Sequence, residues 1–252
     1  MEHAEYQKIA DVGERMWWFR ALHRNMLMLF RYYRDERDRP LLDAGCGAGG
    51  FLRKFLNRYP DVMAYGIDIE PVAVNFARKN TKALISCGNV NSLPFSDKSF
   101  GACISADIIY HKEAFPKDVL SEAYRCLEPG GILIVGSPAY DWMFSVHDVR
   151  VSGVRRFTRK SLSVLLKETG FHIEYATYWN TLLFPLMVIR RKVFSSLEGD
   201  SDLTFLPRPL EVSFNFMTVI ESLFLKALRP LGLFLPFGGS VMVVARRPKE
   251  TS

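Results

Sequence analysis

The sequence predicts a doubly wound α/β domain built on a parallel sheet. Three observations predict it. Short apolar strands alternate with helical stretches from Pro40 to Val135. Several of those strands are apolar on both faces, as parallel strands covered on both sides are. The first strand runs into a glycine-rich turn that opens a helix. With 252 residues, 48% of them hydrophobic and 24% charged, the chain can bury a large core. It lacks the compositional bias of disordered or fibrous chains.

The elements follow in order. From Ala4 to Tyr33 apolar residues recur at helical spacing (Met16, Phe19, Leu22, Met26, Leu29, Phe30), and Asp35 to Pro40 reads as a charged loop. Pro40 to Ala44 is a short strand, Gly45 to Gly50 the turn, and Phe51 to Arg58 a helix with Leu52, Phe55 and Leu56 on one face. Val62 to Ile69, Ala83 to Gly88, Phe100 to Ala106 and Ile132 to Val135 read as further strands. Between them lie helices at Pro71 to Asn80, with proline in the first turn, and Lys117 to Leu127, followed by the turn Pro129-Gly130-Gly131. Tyr140 to Arg156 is irregular, Thr158 to Thr169 is a capped helix ending at Gly170, and Phe171 to Tyr178 is a strand. Trp179 to Gly238 alternates apolar helical stretches with prolines, and Ser240 to Ala245 is a last strand.

The formal net charge is +6, and 15 Lys+Arg against 10 Asp+Glu after Tyr140 account for +5 of it. No Lys/Arg block reaches the length of a nucleic-acid patch and no recognition motif is present, so nucleic acid is not the expected partner. Cys46, Cys87, Cys103 and Cys126 form no C-x-x-C pair and have no His at metal-ligand spacing, so no metal is expected. Such cysteine usage, with no apolar signal segment from Met1 to Arg20, fits a reduced, cytoplasmic setting. The apolar runs Thr181 to Ile189 and Leu231 to Phe237 fall short of the ~20 residues of a membrane span.

The most informative stretch is Asp43-Ala44-Gly45-Cys46-Gly47-Ala48-Gly49-Gly50. Glycines after a parallel strand let backbone approach a ligand and aim helix N–H groups at it. Gly45, Gly47 and Gly50 satisfy G-x-G-x-x-G, and Asp68 stands 18 positions beyond Gly50, which suits NAD(P) and an oxidoreductase. Asp43, two residues before the first glycine, sets a negative charge where a pyrophosphate would lie and suits a cationic ligand better.

These segments, taken in order, resemble the class I S-adenosylmethionine-dependent methyltransferases. Leu41 to Gly50 is similar to the family's first motif, and Tyr65-Gly66-Ile67-Asp68-Ile69-Glu70 to its second-strand motif. Leu93-Pro94-Phe95 with Ser99-Phe100 resembles the approach to the fourth strand, and Leu127 to Gly131 the turn before the fifth. The resemblance implies a Rossmann-like, seven-stranded, mostly parallel sheet with an antiparallel last strand, and S-adenosylmethionine as cofactor. It implies that Gly45, Cys46 and Gly47 contact the methionine part by their backbone, with Asp43 near its amino group and Arg20 near its carboxylate. Asp68 would accept from both ribose hydroxyls, Ile69 pack on the adenine, Asn89 accept from the adenine amino group where the family usually has aspartate, Val90 offer its N–H, and Ala106 line the pocket. Bland roles stand beside these: capping for Asp43 and Asp68, a plain turn for Asn89, a small filler for Cys46, and Glu70 sharing the ribose.

Methyl transfer needs few catalytic residues beyond an aligned acceptor and a proton acceptor. His111 after the fourth strand and His147 after the fifth are the candidate general bases by position; Asp148 beside His147 is placed to orient its ring, and structural roles compete for both. Trp17 to Arg20, His147-Asp148 with Arg155 to Lys160, and Trp179 to Pro185 resemble a bacterial branch of small methyltransferases with mostly unassigned substrates.

The expected layout is one domain: a helical N-terminal lid (1–39), a cofactor-binding core (40–178), a helical insertion (179–238), and a last strand and tail (239–252). Packing of the first helix on the sheet is the alternative to a lid. The insertion is apolar, with Arg190, Arg191, Lys192, Lys226 and Arg229 interspersed. It suits a lipid-linked or small-molecule acceptor or peripheral membrane contact, and equally core or dimer packing. A non-catalytic cofactor-binding scaffold is the third functional class.

Overall fold

The computed structural model describes residues 16–35, 39–193 and 206–250. The readings made for 4–15, 36–38 and 194–205 lie outside the described residues. Seven strands form one sheet: β1 (Leu41–Ala44), β2 (Ala64–Asp68), β3 (Leu84–Cys87), β4 (Phe100–Ala106), β5 (Leu127–Pro138), β6 (His172–Trp179) and β7 (Ser240–Arg246). Their order is β3-β2-β1-β4-β5-β7-β6. Pairings among β1 to β5 are parallel, and β7 runs antiparallel to both neighbours. This is the doubly wound sheet that the alternation of strand and helix implied.

The helices are α1 (Trp17–Tyr33), α2 (Gly50–Arg58), α3 (Pro71–Asn80), α4 (Pro116–Cys126), α5 (Val146–Arg150), α6 (Arg159–Glu168), α7 (Phe184–Val193) and α8 (Arg208–Leu228). One face of the sheet packs Leu42, Cys103, Leu133 and Val243 against Leu120 and Ala123 of α4 and Leu162 and Leu166 of α6. The opposite face packs Leu41, Ile104, Ile134 and Val244 against Leu22, Met26 and Leu29 of α1 and Leu52 and Phe55 of α2. Neighbouring residues of one strand thus enter opposite cores, which is the alternation of a pleated strand. At ~25 cal/mol per Å² of apolar area buried, both cores reward the continuous apolar runs seen in the sequence.

Two boundaries depart from the sequence reading. Pro129-Gly130-Gly131 does not end the chain's pairing: it lies within β5, where the register slips between Phe100 and Ala102 and Gly130 takes φ +86°. Residues 128–131 stand opposite Gly101 alone, so the turn interrupts pairing with β4 while Gly130 and Gly131 bond to the backbone of Arg247. Tyr140 to Arg156 is less irregular than expected, because a 3-10 turn at Asp141–Met143 and α5 occupy it.

A buried ion pair organises that stretch. Asp148 accepts from Arg156 at 2.7, 2.9 and 3.0 Å and from the Ser145 amide at 2.8 Å, closing a capping box on α5. Arg156 also donates to the Ala139 carbonyl at 3.0 Å, tying the loop to the end of β5. Removing one partner strands a buried charge, which costs far more than a surface pair is worth. Chemical denaturation of Asp148→Ala should show a loss of about 3–5 kcal/mol against the wild-type chain.

Candidate cofactor and active site

The carboxyl ends of β1, β2, β4 and β5 open on one edge of the sheet, where Asp43, the glycine turn, Asp68 and Ala106 stand. After β1 the chain turns through Gly45 at φ +89° and Gly47 at φ +51° into α2. The two glycines are required for different reasons. A Cβ on Gly45 would collide with Ile108, whereas nothing lies within 4 Å of one on Gly47. Gly47 therefore lines open space that a side chain would fill, a shape suited to backbone approach by a ligand.

Asp68, at the tip of β2, accepts from the Gly47 amide at 2.8 Å on one oxygen and from the Glu70 amide at 3.0 Å on the other. Glu70, rather than Asp68, is the N-cap of α3. A carboxylate has about four acceptor positions, so each Asp68 oxygen keeps capacity for another donor. Asp43 is buried within β1, and burial together with the nearby Asp68 pushes its carboxyl up to about 8. Burial likewise raises Asp68, against backbone hydrogen bonds from Glu70, Gly47 and Ile69. The Cys46 thiol is pushed far up, by burial first and then by Asp43 and Asp68, and its Sγ stands 2.9 Å from where a Cβ on Gly66 would sit. Cys46 therefore packs as an inert filler behind the turn.

The surrounding positions are mixed. Ile69 is 51% exposed beside Asp68. Asn89 uses Oδ1 to accept from the Asn91 amide at 2.9 Å, a local turn, while Val90 packs partly buried against the core. Ala106 pairs with Gly136 at the end of β4. Arg20 is exposed on α1, its charge adding to that of Arg53 and Arg24 in lowering Lys54 to about 8, after burial. The apolar side of α1, with Leu22, Met26, Leu29 and Phe30, is packed on the sheet.

The two histidines differ from their expected settings. His111 is lowered to about 4, chiefly by burial, while hydrogen bonds with the backbone of Val151 and Asp107 oppose that shift. Its main chain bridges Gly153, and Arg155 donates to the carbonyls of Ile109, His111 and Ala114 at 3.1, 3.1 and 2.7 Å. Asp148 gives both its oxygens to Arg156, and the Nδ1 of His147 is buried.

Asp107 is the residue the sequence reading passed over. It follows β4 with φ +51°, an uncommon conformation for a residue other than glycine. Its Oδ2 is buried with no hydrogen-bond partner, and burial, opposed by Arg156, pushes the carboxyl up to about 7. The available signal was an acid immediately after the strand that lines the pocket. Beyond β5, Tyr140 (φ +62°) stacks on Tyr178 at 5.1 Å and on Trp142 at 5.7 Å, and meets Phe184 at 5.7 Å. These rings build an apolar wall on the same edge of the sheet.

The chain is similar to known methyltransferases in sequence and in fold. Residues 42–135 match the family model described as a methyltransferase domain. The chain is 29% identical over 182 residues to a malonyl-[acyl-carrier protein] O-methyltransferase of Serratia marcescens, covering 71% of this chain and 63% of that protein. It is 29% identical over 157 residues to 24-methylenesterol C-methyltransferase 2 of Oryza sativa, covering 53% and 41%. The chain thus spans less than two thirds of either relative. A chain from the complex of the Haloferax volcanii Trm112 methyltransferase activator with a methyltransferase superposes with a TM-score of 0.64 at 18% identity, over 99% of this chain and 95% of that one. At that identity the likeness shows the fold.

The raised Asp43 carboxyl has a measurable consequence. The folded chain keeps this proton up to about pH 8, while the unfolded chain releases it near 3.8. The group's stabilising contribution is therefore full below the unfolded value and is lost as pH rises toward the folded one. Thermal melts of Asp43→Asn without ligand should exceed wild type by a few degrees near pH 8 and converge with it near pH 4.

Proposed function

We propose that this chain, a class I methyltransferase fold carrying a methyltransferase domain at residues 42–135, transfers a methyl group from S-adenosylmethionine to a small-molecule or lipid-linked acceptor. The observation that carries the reading is the pair of buried acids, Asp43 and Asp68, flanking the open turn at Gly45 to Gly47. Burial holds both carboxyls toward their protonated forms, and a cation beside them restores the charge that a pyrophosphate suppresses further. Methyl transfer from a sulfonium is a displacement whose activation the bound cofactor supplies.

The chain's own residues then bind, orient and move a proton. The backbone at Gly45 and Gly47 and the Asp43 carboxyl receive the amino-acid end of the ligand, and Arg20 stands on α1 for its carboxylate. Asp68 accepts from the ribose hydroxyls, Ile69 covers one face of the adenine, and Val90 offers its amide to the ring. Asn89 meets the adenine amino group with whatever acceptor capacity its turn hydrogen bond leaves. On the acceptor side, Asp107 is the base best matched to neutral pH, since it titrates near 7 with an unpartnered oxygen. His111 is neutral there but tied to the backbone, and His147 is retained as a second candidate. The aromatic wall at Tyr140, Tyr178 and Phe184 supports an acceptor with an apolar body.

Calorimetric titration with S-adenosylhomocysteine and, separately, NAD tests the reading. Micromolar binding of the first that Asp68→Ala abolishes is the expected result; binding of NAD alone would overturn it. Repeating the titration near neutral pH in buffers of different ionisation enthalpy should reveal release of roughly one proton, lost in Asp43→Asn. Gly47→Ala should weaken the same binding at least about tenfold, because a methyl group enters the open space on a strained backbone.

A further inference from the structure

Helix α8 is amphipathic in the inverted sense. Its inward side carries an unusual share of polar groups: Thr218, Glu221 and Ser222 are buried there, beside Leu225. Arg24 of α1 donates to Ser222 at 2.9 Å and to Thr218 at 3.0 Å, and the Ser222 hydroxyl donates to Asn25 at 2.7 Å. Glu221 accepts the backbone amides of Asn180, Thr181 and Leu182 at 2.5, 2.6 and 3.1 Å. The outward side is apolar, with Val212 at 62% exposure, Phe216 at 63% and Leu223 at 61%. Steps of four and then seven residues keep these three on one face, along most of the helix. A helix on a water-facing surface normally shows the reverse arrangement, and a contiguous apolar stripe of this length marks a contact surface.

Charge decides between occupants. Arg208 and Lys226 are exposed and 18 residues apart, five turns at 3.6 residues per turn, so they lie along one edge of the stripe. Both carboxylates of α8 are turned to the protein, Glu221 as above and Glu211 toward the Trp17 amide at 3.0 Å. Among the described residues, α8 thus offers solvent apolar and cationic groups and no exposed carboxylate. Against a second copy, antiparallel pairing sets Arg208 of one chain by Lys226 of the other, and parallel pairing sets like on like. An anionic lipid surface complements both the stripe and its edge. No helix among the described residues is long and apolar enough to cross a membrane, so the contact lies in the plane of the interface.

We propose that the outer face of α8 docks this protein on anionic membrane surfaces, with Val212, Phe216 and Leu223 entering the headgroup region and Arg208 and Lys226 pairing with lipid phosphates. This stands independently of methyl transfer. Because Glu221 holds the loop that follows β6, docking also sets the active edge of the sheet at a fixed position relative to the lipid.

Co-sedimentation of the full chain with vesicles tests it, using pure phosphatidylcholine and a mixture in which roughly a third is phosphatidylglycerol. The wild type should pellet with the mixed vesicles about tenfold more tightly than with the neutral ones, and lose that preference at high salt. Phe216→Glu with Leu223→Glu should abolish binding to both, and Lys226→Glu should reduce only the anionic preference. Unchanged thermal melts of these surface variants exclude misfolding as the cause. Equal pelleting of wild type and the double variant overturns the proposal. So does light scattering that shows a wild-type dimer, lost in the double variant, with no vesicle binding.

Discussion

The hydrogen bond from the Gly47 amide to the Asp68 carboxylate, 2.8 Å long, fixes the geometry on which the site depends. It joins the tip of β2 to the turn that leaves β1, and β1 is itself held between β2 and β4 by parallel pairing. Three strands therefore determine where the turn sits. The glycines serve this arrangement in separate ways: Gly45 is confined by Ile108, and Gly47 faces open space. Neither conformation is readily available to a residue with a side chain.

The electrostatics follow from burial. Asp43, Asp68 and Asp107 stand at the carboxyl edge of the sheet, where desolvation raises all three. Several arginines are engaged in structural ties. Arg156 holds Asp148, Arg155 holds the carbonyls that follow β4, and Arg24 holds α8. Burial thus favours the protonated forms of these acids, which is the basis of the proposed preference for a cationic ligand.

The insertion obeys a different logic. In α8 three polar residues face inward, where they satisfy backbone amides and Arg24. An unpaired amide buried beneath a helix costs more than a displaced apolar contact, so Glu221 is placed inward and the apolar stripe is displaced to the surface. One helix thus anchors the loop after β6 and leaves its apolar side for another partner.

Periodicity and punctuation in the sequence determined the fold class, the order of strands and helices, and the residues at the glycine turn. These are local properties: an apolar run with glycine or proline at its ends requires no knowledge of what packs on it. The antiparallel pairing of β7, implied by resemblance, is seen in the structure. Only tertiary structure decided that Pro129 to Gly131 lies within β5, that Asn89 turns back on Asn91, and that Asp148 binds Arg156. It alone revealed Asp107 as a buried, unpartnered acid and α8 as inverted. The reason is common to all of them. A charged or polar side chain takes its role from the partners and the water around it, and those are fixed only when distant segments meet.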